Sequence, residues 1–273
     1  MTPHAEVPVD PPDPMLDERV TVERDGGVAI VRLNRPDRLN ALTEPMKEKM
    51  GSVFESLSRD PEVRAVLLCA AGRAFCASGD VTSMGAFTVD SAQDRLKRAH
   101  RMIINLARID KPVIAAVQGP VVGIGWSMAL ACDTIIAADD AYFAQVFKNV
   151  GLTPDGGGVF FLAQNLGVLR AKALVLSGRK VSAEEALALG LVEQVVAAEA
   201  LFDTALAHAH TLAAGPTLAF ALGKRMFKHV YTPALETFLD AESWAQSVAL
   251  MSEDHAEGAR AFLEKRKPQF SGR

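Results

Sequence analysis

The stretch from residue 111 to 158, KPVIAAVQGPVVGIGWSMALACDTIIAADDAYFAQVFKNVGLTPDGGG, carries almost no charge before Asp133, so it has to be buried. It joins an apolar run, a glycine-spaced turn, a short small-residue helix, a second apolar run and a Pro-Asp-Gly-Gly-Gly turn. Residues 112–117 are too few for a lone helix and rich in β-branched side chains, which predicts an interior strand ended by Gly119-Pro120. GIGWSMALAC then predicts a closely packed helix. Its first amides, at Ile124 and Gly125, have no intrahelical acceptor. The flanking glycines leave that helix mouth open to a developing negative oxygen.

Around this stretch the chain alternates strands and helices. Short β-rich runs at 20–24 and 28–33, split by Asp25-Gly26-Gly27, predict a hairpin. A polar turn around Pro36 leads to Thr43 and a helix whose apolar face is Met46, Met50, Val53, Phe54 and Leu57. A strand at 63–69 follows, and strand, helix, strand implies parallel pairing. The loop GRAFCASGDVTSM then lies at that strand's C-terminal edge, where open α/β sheets bind ligands. Helix 89–108 and strands 112–117 and 134–138 bring both glycine-containing loops to one side. Beyond Gly158 come helices, one opened by Ser182 with Glu185 as a capping box, and a short edge strand at 192–196. From residue 199 about four helices are expected, broken at Gly215-Pro216, Pro233 and near Ser252. The domain reading is a Pro-rich disordered tail over 1–17, an α/β core over 18–198 and a helical oligomerisation region over 199–273.

Composition narrows the function. At 273 residues, with 49% hydrophobic and 23% charged residues, the chain can bury a large core and is expected to be a soluble protein with buried subunit contacts. Net charge is −4, without a basic block, which argues against nucleic acid. No run approaches the roughly 20 apolar residues of a membrane helix, and the five-proline N-terminus is expected to be a loosely extended tail rather than a signal peptide. Cys69, Cys76 and Cys132 suit reduced core thiols, hence a cytoplasmic location. The histidines, His4, His100, His208, His210, His229 and His255, show no ligand spacing, so no metal is expected.

The chemical signal is a pair of backbone donors, around Ala77 and around Ile124, followed by an acid, Asp155, in a glycine turn. Such donors stabilise the enolate-like oxygen formed when a carbonyl compound loses an α-proton. A GxG turn is also a common packing device, and Pro-Asp-Gly is common turn chemistry. Two other readings compete. A dinucleotide fingerprint fails at Met128, where the third glycine belongs. A nucleophile elbow, Gly125-Trp126-Ser127-Met128-Ala129, would make Ser127 a hydrolase nucleophile, but its downstream acid and base would be Asp240 and His255, in helical stretches. The alternative for Ser127 is a hydroxyl bonded to its own backbone.

LNRPDRLNAL, GRAFCASGD, KPVIAAVQGPVVGIGWSMALACD and GLTPDGGG, in this order, resemble the crotonase superfamily, the enoyl-CoA hydratase/isomerase group. The resemblance covers roughly residues 18–270. It implies a crotonase-like spiral of ββα units with a C-terminal helical trimerisation region, assembled as a homotrimer or dimer of trimers, with acyl-CoA as substrate and no cofactor beyond its coenzyme A moiety. It places Ala77 and Ile124 as oxyanion donors and Asp155 as the acid that shuttles a proton in isomerase-like members. Arg38 and Leu39, the loop residues Phe75, Ala77, Asp80 and Val81, and Phe262 with Lys265 on a closing C-terminal helix fall in the CoA-binding set. The two glutamates of family hydratases align with Ser127 and Phe147, and Ser78 stands where glycine is usual. The expectation is therefore a double-bond-shifting isomerase. An enoyl-CoA hydratase or a non-catalytic acyl-CoA binder are the alternatives, ahead of a serine hydrolase.

Overall fold

The computed structural model describes residues 16–80, 82, 88–227, 230 and 235–273. The expected tail lies outside them except for its last two residues, which begin a helical turn; Val81, His229 and Pro233 also lie outside. In chain order the elements are α1 (Leu16–Arg19), β1 (Val20–Asp25), β2 (Val28–Leu33), α2 (Glu44–Arg59), β3 (Ala65–Ala70), α3 (Val89–Ala107), β4 (Val113–Val117), β5 (Pro120–Val122), α4 (Ile124–Leu130), β6 (Thr134–Ala138) and β7 (Tyr142–Ala144). Then follow α5 (Gly158–Leu166), α6 (Val168–Ser177), β8 (Val181–Ser182), α7 (Ala183–Ala188), β9 (Gln194–Val196), α8 (Leu201–Ala213), α9 (Thr217–Met226), α10 (Leu235–Leu250) and α11 (Glu253–Glu264).

The main sheet has the order β1-β2-β3-β4-β6-β9, antiparallel only between β1 and β2. Its central strands read as unbroken apolar runs because both faces are covered. In β3 all six residues, AVLLCA, are buried. Alternate side chains divide between two cores: Val66 and Leu68 join the larger one under α2, α3 and α4, while Ala65, Leu67 and Cys69 meet α8. The α8 face is Leu201, Ala205, Ala209 and Ala213, and these small residues at helical spacing let the helix lie close on the sheet. Burial pushes the thiol of Cys69 up to about 11 and that of Cys76 to about 12, so neither is a thiolate.

A second sheet, β5-β7-β8, was not legible in the sequence. Gly119-Pro120 was expected to end a strand, yet Pro120 opens β5, a position where its missing N–H removes no ladder bond. Strands of two or three residues are too short to show a period, and tertiary pairing creates them. The Ser182 cap forms, accepting Glu185 N–H at 3.1 Å. The reciprocal half of that capping box does not, because the Glu185 carboxylate is held by Arg179 at 2.5 and 2.8 Å.

Candidate active site

Loop 75–80 is stitched between two neighbouring segments. Phe75 N–H donates to Gln118 C=O at 2.8 Å, Cys76 N–H to Pro120 C=O at 3.0 Å, and Val122 N–H to Cys76 C=O at 2.9 Å. On its other side, Leu42 N–H donates to Ser78 C=O and Asp80 N–H to Leu42 C=O, both at 2.9 Å. The Asn40 side chain ties the preceding turn to Ala71 and Ala74 carbonyls at 2.8 and 2.7 Å.

This stitching corrects the assignment of Ala77 as a donor, because its N–H is committed to Leu39 C=O at 3.0 Å. Cys76 points its amide toward β5, and Ala77 and Asp80 point theirs toward the 39–42 segment. Gly79, adjacent to Asp80 in this extended stretch, therefore turns its N–H back to the β5 and α4 side, and no acceptor is recorded for it. Sequence order alone does not reveal such alternation, and the bend at Ser78, with φ of 88°, shifts it by a residue.

Across from this loop, α4 begins at Ile124 with Gly123 as its cap. Ser127 N–H is the first amide of the helix to find an acceptor, Gly123 C=O at 3.1 Å, so those of Ile124 and Gly125 remain available. The two glycines are required by contact. A Cβ on Gly123, at φ of 58°, would stand 2.2 Å from Ser78 Oγ, and one on Gly125 would stand 2.6 Å from Cys76 Cβ. The loop and the helix mouth thus touch directly.

Asp155 lies in the turn before α5. A Cβ on Gly156 would stand 2.9 Å from Ile124 Cγ1, which seats that turn on the first residue of α4. Ser127, fully buried, donates its Oγ–H to Asp155 C=O at 2.9 Å. Its hydroxyl therefore braces the turn, and no histidine partner is recorded for it among the described residues, which removes the nucleophile reading. The Asp155 carboxyl keeps a buried Oδ1 without a hydrogen-bond partner among the described residues. Burial pushes its pKa upward, against the pull of Lys47, Arg95 and His100. Phe147 contributes to the apolar surroundings, its Cε2 lying 3.5 Å from the Cβ position of Gly123, whereas Val150 is 57% exposed and does not.

The remaining expected ligand residues fare differently. Arg38 is exposed and Leu39 half-buried at the rim of loop 35–40, where both are accessible. Phe75 is fully buried in the main core and is not a ligand contact. Asp80 is an anchor: it accepts from Arg35 Nη1 at 2.7 Å and from Thr82 N–H and Oγ–H at 2.9 and 2.6 Å. Although burial opposes it, these bonds hold the carboxyl down to about 2. Phe262 is 83% exposed on α11, and Lys265 caps that helix in the left-handed region. The tail that follows is tied to the N-terminal edge of the main sheet, where Arg64 holds Phe270 C=O at 3.0 Å. Within one chain, then, that helix is anchored at the sheet edge opposite the loops.

Sequence reasoning missed Lys47 and its partners. Lys47 sits between Met46 and Met50 on the buried face of α2, and a lysine on an apolar helical face was the available signal. A cavity of about 230 Å³ lies elsewhere, between β2–β4 and α8, lined by Arg32, Ala116, Gln118 and Phe202, and contains none of the expected catalytic residues.

Comparison with known proteins agrees with this architecture. The sequence model described as enoyl-CoA hydratase/isomerase matches residues 23–273. The 1,2-epoxyphenylacetyl-CoA isomerase of Escherichia coli (strain K12) is 39% identical, over 90% of this chain and 96% of its own. The short-chain-enoyl-CoA hydratase of Clostridium acetobutylicum is 34% identical, over 91% and 95%. The crystal structure of an enoyl-CoA hydratase from Polaromonas sp. JS666 superposes with a TM-score of 0.88 at 32% identity, covering 92% of this chain and 99% of that one.

Proposed function

The chain belongs to the enoyl-CoA hydratase/isomerase family, the crotonase superfamily, and from that premise we propose that it shifts a double bond in an enoyl-CoA thioester, with Asp155 as the single proton carrier. The observation that carries this reading is the half-buried Asp155 carboxyl beside Ile124, with its Oδ1 buried and unpaired among the described residues, and only Ser127 and Phe147 where a hydratase would hold its pair of glutamates.

In this mechanism the thioester oxygen sits between the Gly79 and Ile124 amides. Asp155 takes a proton from C2, and the electron pair moves onto that oxygen to form an enolate. Each amide contributes about 2.7–4 kcal/mol where charge develops. Asp155 returns the proton at C4 as the C3–C4 double bond moves to C2–C3, so atoms and charge balance. An acid whose pKa is raised toward the working pH returns a proton more readily than an ordinary carboxylate does. Hydration instead needs a positioned water, and neither Ser127 nor Phe147 offers a carboxylate to hold it.

Relatives named as hydratases favour hydration as the second reading. Product analysis on 3-enoyl- and 2-enoyl-CoA decides between them. Wild type is expected to isomerise the first. Asp155→Asn should retain thioester binding and lose isomerisation by a factor of about 10² or more. Dominant hydration of 2-enoyl-CoA, or rapid isomerisation by Asp155→Asn, sinks the assignment. Binding without turnover of either would leave an acyl-CoA binder.

We also propose a homotrimer or dimer of trimers. Exposed Val159, Phe160, Val168 and Leu169 on α5 and α6, and Trp244, Phe262 and Leu263 on α10 and α11, support buried subunit contacts. In such an assembly Phe262 and Lys265 would reach a neighbour's CoA. The three free cysteines are consistent with a reducing, cytoplasmic setting.

A further inference from the structure

Lys47 is 3% exposed, yet its ammonium, with three donors, meets one acceptor among the described residues, Glu44 Oε1 at 2.7 Å. Lys111 illustrates full satisfaction: its Nζ donates to the carbonyls of Leu57, Ser58 and Asp60 at 2.7, 2.7 and 2.8 Å. Glu44 is shared further. Its Oε1 also takes Arg95 Nη1 at 3.1 Å, and its Oε2 takes Arg98 Nε at 3.0 Å. Arg98 leans outward, 35% exposed, with Glu48 at 3.8 Å, while Lys47 and Arg95 face inward.

Inward here means toward the proposed reaction centre. The residues just before α2 are bonded to loop 75–80 through Leu42 and Ser78. Arg95 Nη2 lies 3.9 Å from the point where a Cβ on Gly79 would stand. The charges of Lys47 and Arg95 act on Asp155, and that of Lys47 also acts on Cys76, which packs against Gly125. Two cations from α2 and α3 therefore flank the space bounded by Gly79, Ile124 and Asp155.

An unbranched alkenoyl chain placed there would leave the buried ammonium without a further acceptor, which is the costly half of burying a charge. A carboxylate supplies a charge-assisted acceptor for the Lys47 ammonium. We infer that Lys47, with the Arg95 charge beside it, receives a carboxylate on the acyl chain, beyond the reacting carbons, so that the preferred substrate is the CoA thioester of a dicarboxylic acid. The position of the thioester rests on the isomerase reading above, but the preference itself is a matter of binding.

Saturated thioesters, which cannot isomerise, separate the two. Titration calorimetry on the full chain with adipoyl-CoA and hexanoyl-CoA should show adipoyl-CoA bound about tenfold or more tightly, a difference of about 1.4 kcal/mol. Lys47→Met should bring the two within about twofold, and Lys47→Arg should keep the preference. If Lys47→Met fails to fold, Arg95→Gln carries the test and should likewise narrow the gap. Equal or tighter hexanoyl-CoA binding by wild type overturns the inference, as does an adipoyl preference that survives both Lys47→Met and Arg95→Gln. Binding of neither thioester removes it together with the family-based function. An adipoyl preference without turnover of the unsaturated analogue upholds it and removes only the isomerase assignment.

Discussion

Two regions of this chain bury carboxylates, and they treat them in opposite ways. At the C-terminus, Asp254 is 3% exposed and accepts from Ser271 N–H at 2.6 Å, Gly272 N–H at 2.9 Å and Ser271 Oγ–H at 3.3 Å, while its own N–H donates to Arg273 C=O. Nearby Glu257 takes two arginines, Arg266 and Arg260, and Gln269 N–H, which drive its carboxyl far below the usual range. Those acids are spent on locking the tail to α11. Asp155 instead retains a buried oxygen without a partner and a raised pKa. Satisfied carboxylates hold a fold, whereas an unsatisfied one keeps its affinity for a proton available to chemistry.

Removing each acid in turn tests that contrast. The largest effect expected is the loss of about 10² or more in isomerisation by Asp155→Asn, equivalent to roughly 2.7 kcal/mol in the transition state. That variant should lose no stability. Because the folded protein holds the Asp155 proton more tightly than the unfolded chain, whose carboxyl titrates near the model value of 3.8, wild type loses stability as pH rises through that range and up through the raised folded value. Asp155→Asn removes this slope, so its melting temperature should exceed that of wild type at pH 7 and match it below pH about 3. A variant that melts lower at neutral pH would make Asp155 a structural acid like Asp254.

Asp254→Ala should show the converse: unchanged proton-transfer chemistry per folded site, with a loss of about 2–3 kcal/mol as three donors lose their acceptor. Limited proteolysis of residues 265–273 reports it, and a tail that stays protected would show that Arg64 alone holds it. Asp80 sharpens the comparison from within the site. Its carboxyl is depressed to about 2, so its contribution is complete above the unfolded value of 3.8 and is lost as pH falls through about 2. Asp80→Asn should therefore lower the melting temperature at pH 7 but approach wild type in acid. The smallest effect expected is at Ser78, held at φ of 88°. Ser78→Gly should gain about 1 kcal/mol or less by relieving that backbone, measurable as a rise in denaturant midpoint.

Much of the frame was legible in the residues because burial on both faces leaves an unmistakable mark. The AVLLCA run of β3 and the apolar β4 announced interior strands, and Thr43 and Ser182 announced helix starts that form with side-chain caps at 3.4 and 3.1 Å, while the break expected near Ser252 is a helix start capped by that serine at 3.0 Å. The GIG turn and the PDGGG turn were recognisable because close backbone approach demands glycine. The second sheet was not, since β8 has only two residues and owes its existence to partners far away in sequence.

What the sequence by itself determined is the set of local commitments: strands with two buried faces, capped helices, glycine where chains touch, and an acid carried on a glycine turn. These depend on residue type and spacing, which are short-range properties. Only the tertiary structure decided which groups remain available. Ala77 and Gly79 are two residues apart, yet the first spends its amide on Leu39 while no acceptor is recorded for the second. Lys47 and Lys111 are the same residue type, yet among the described residues one meets a single acceptor and the other three carbonyls. Hydrogen-bond satisfaction is settled by partners brought from distant segments, so it becomes visible only when the chain has folded.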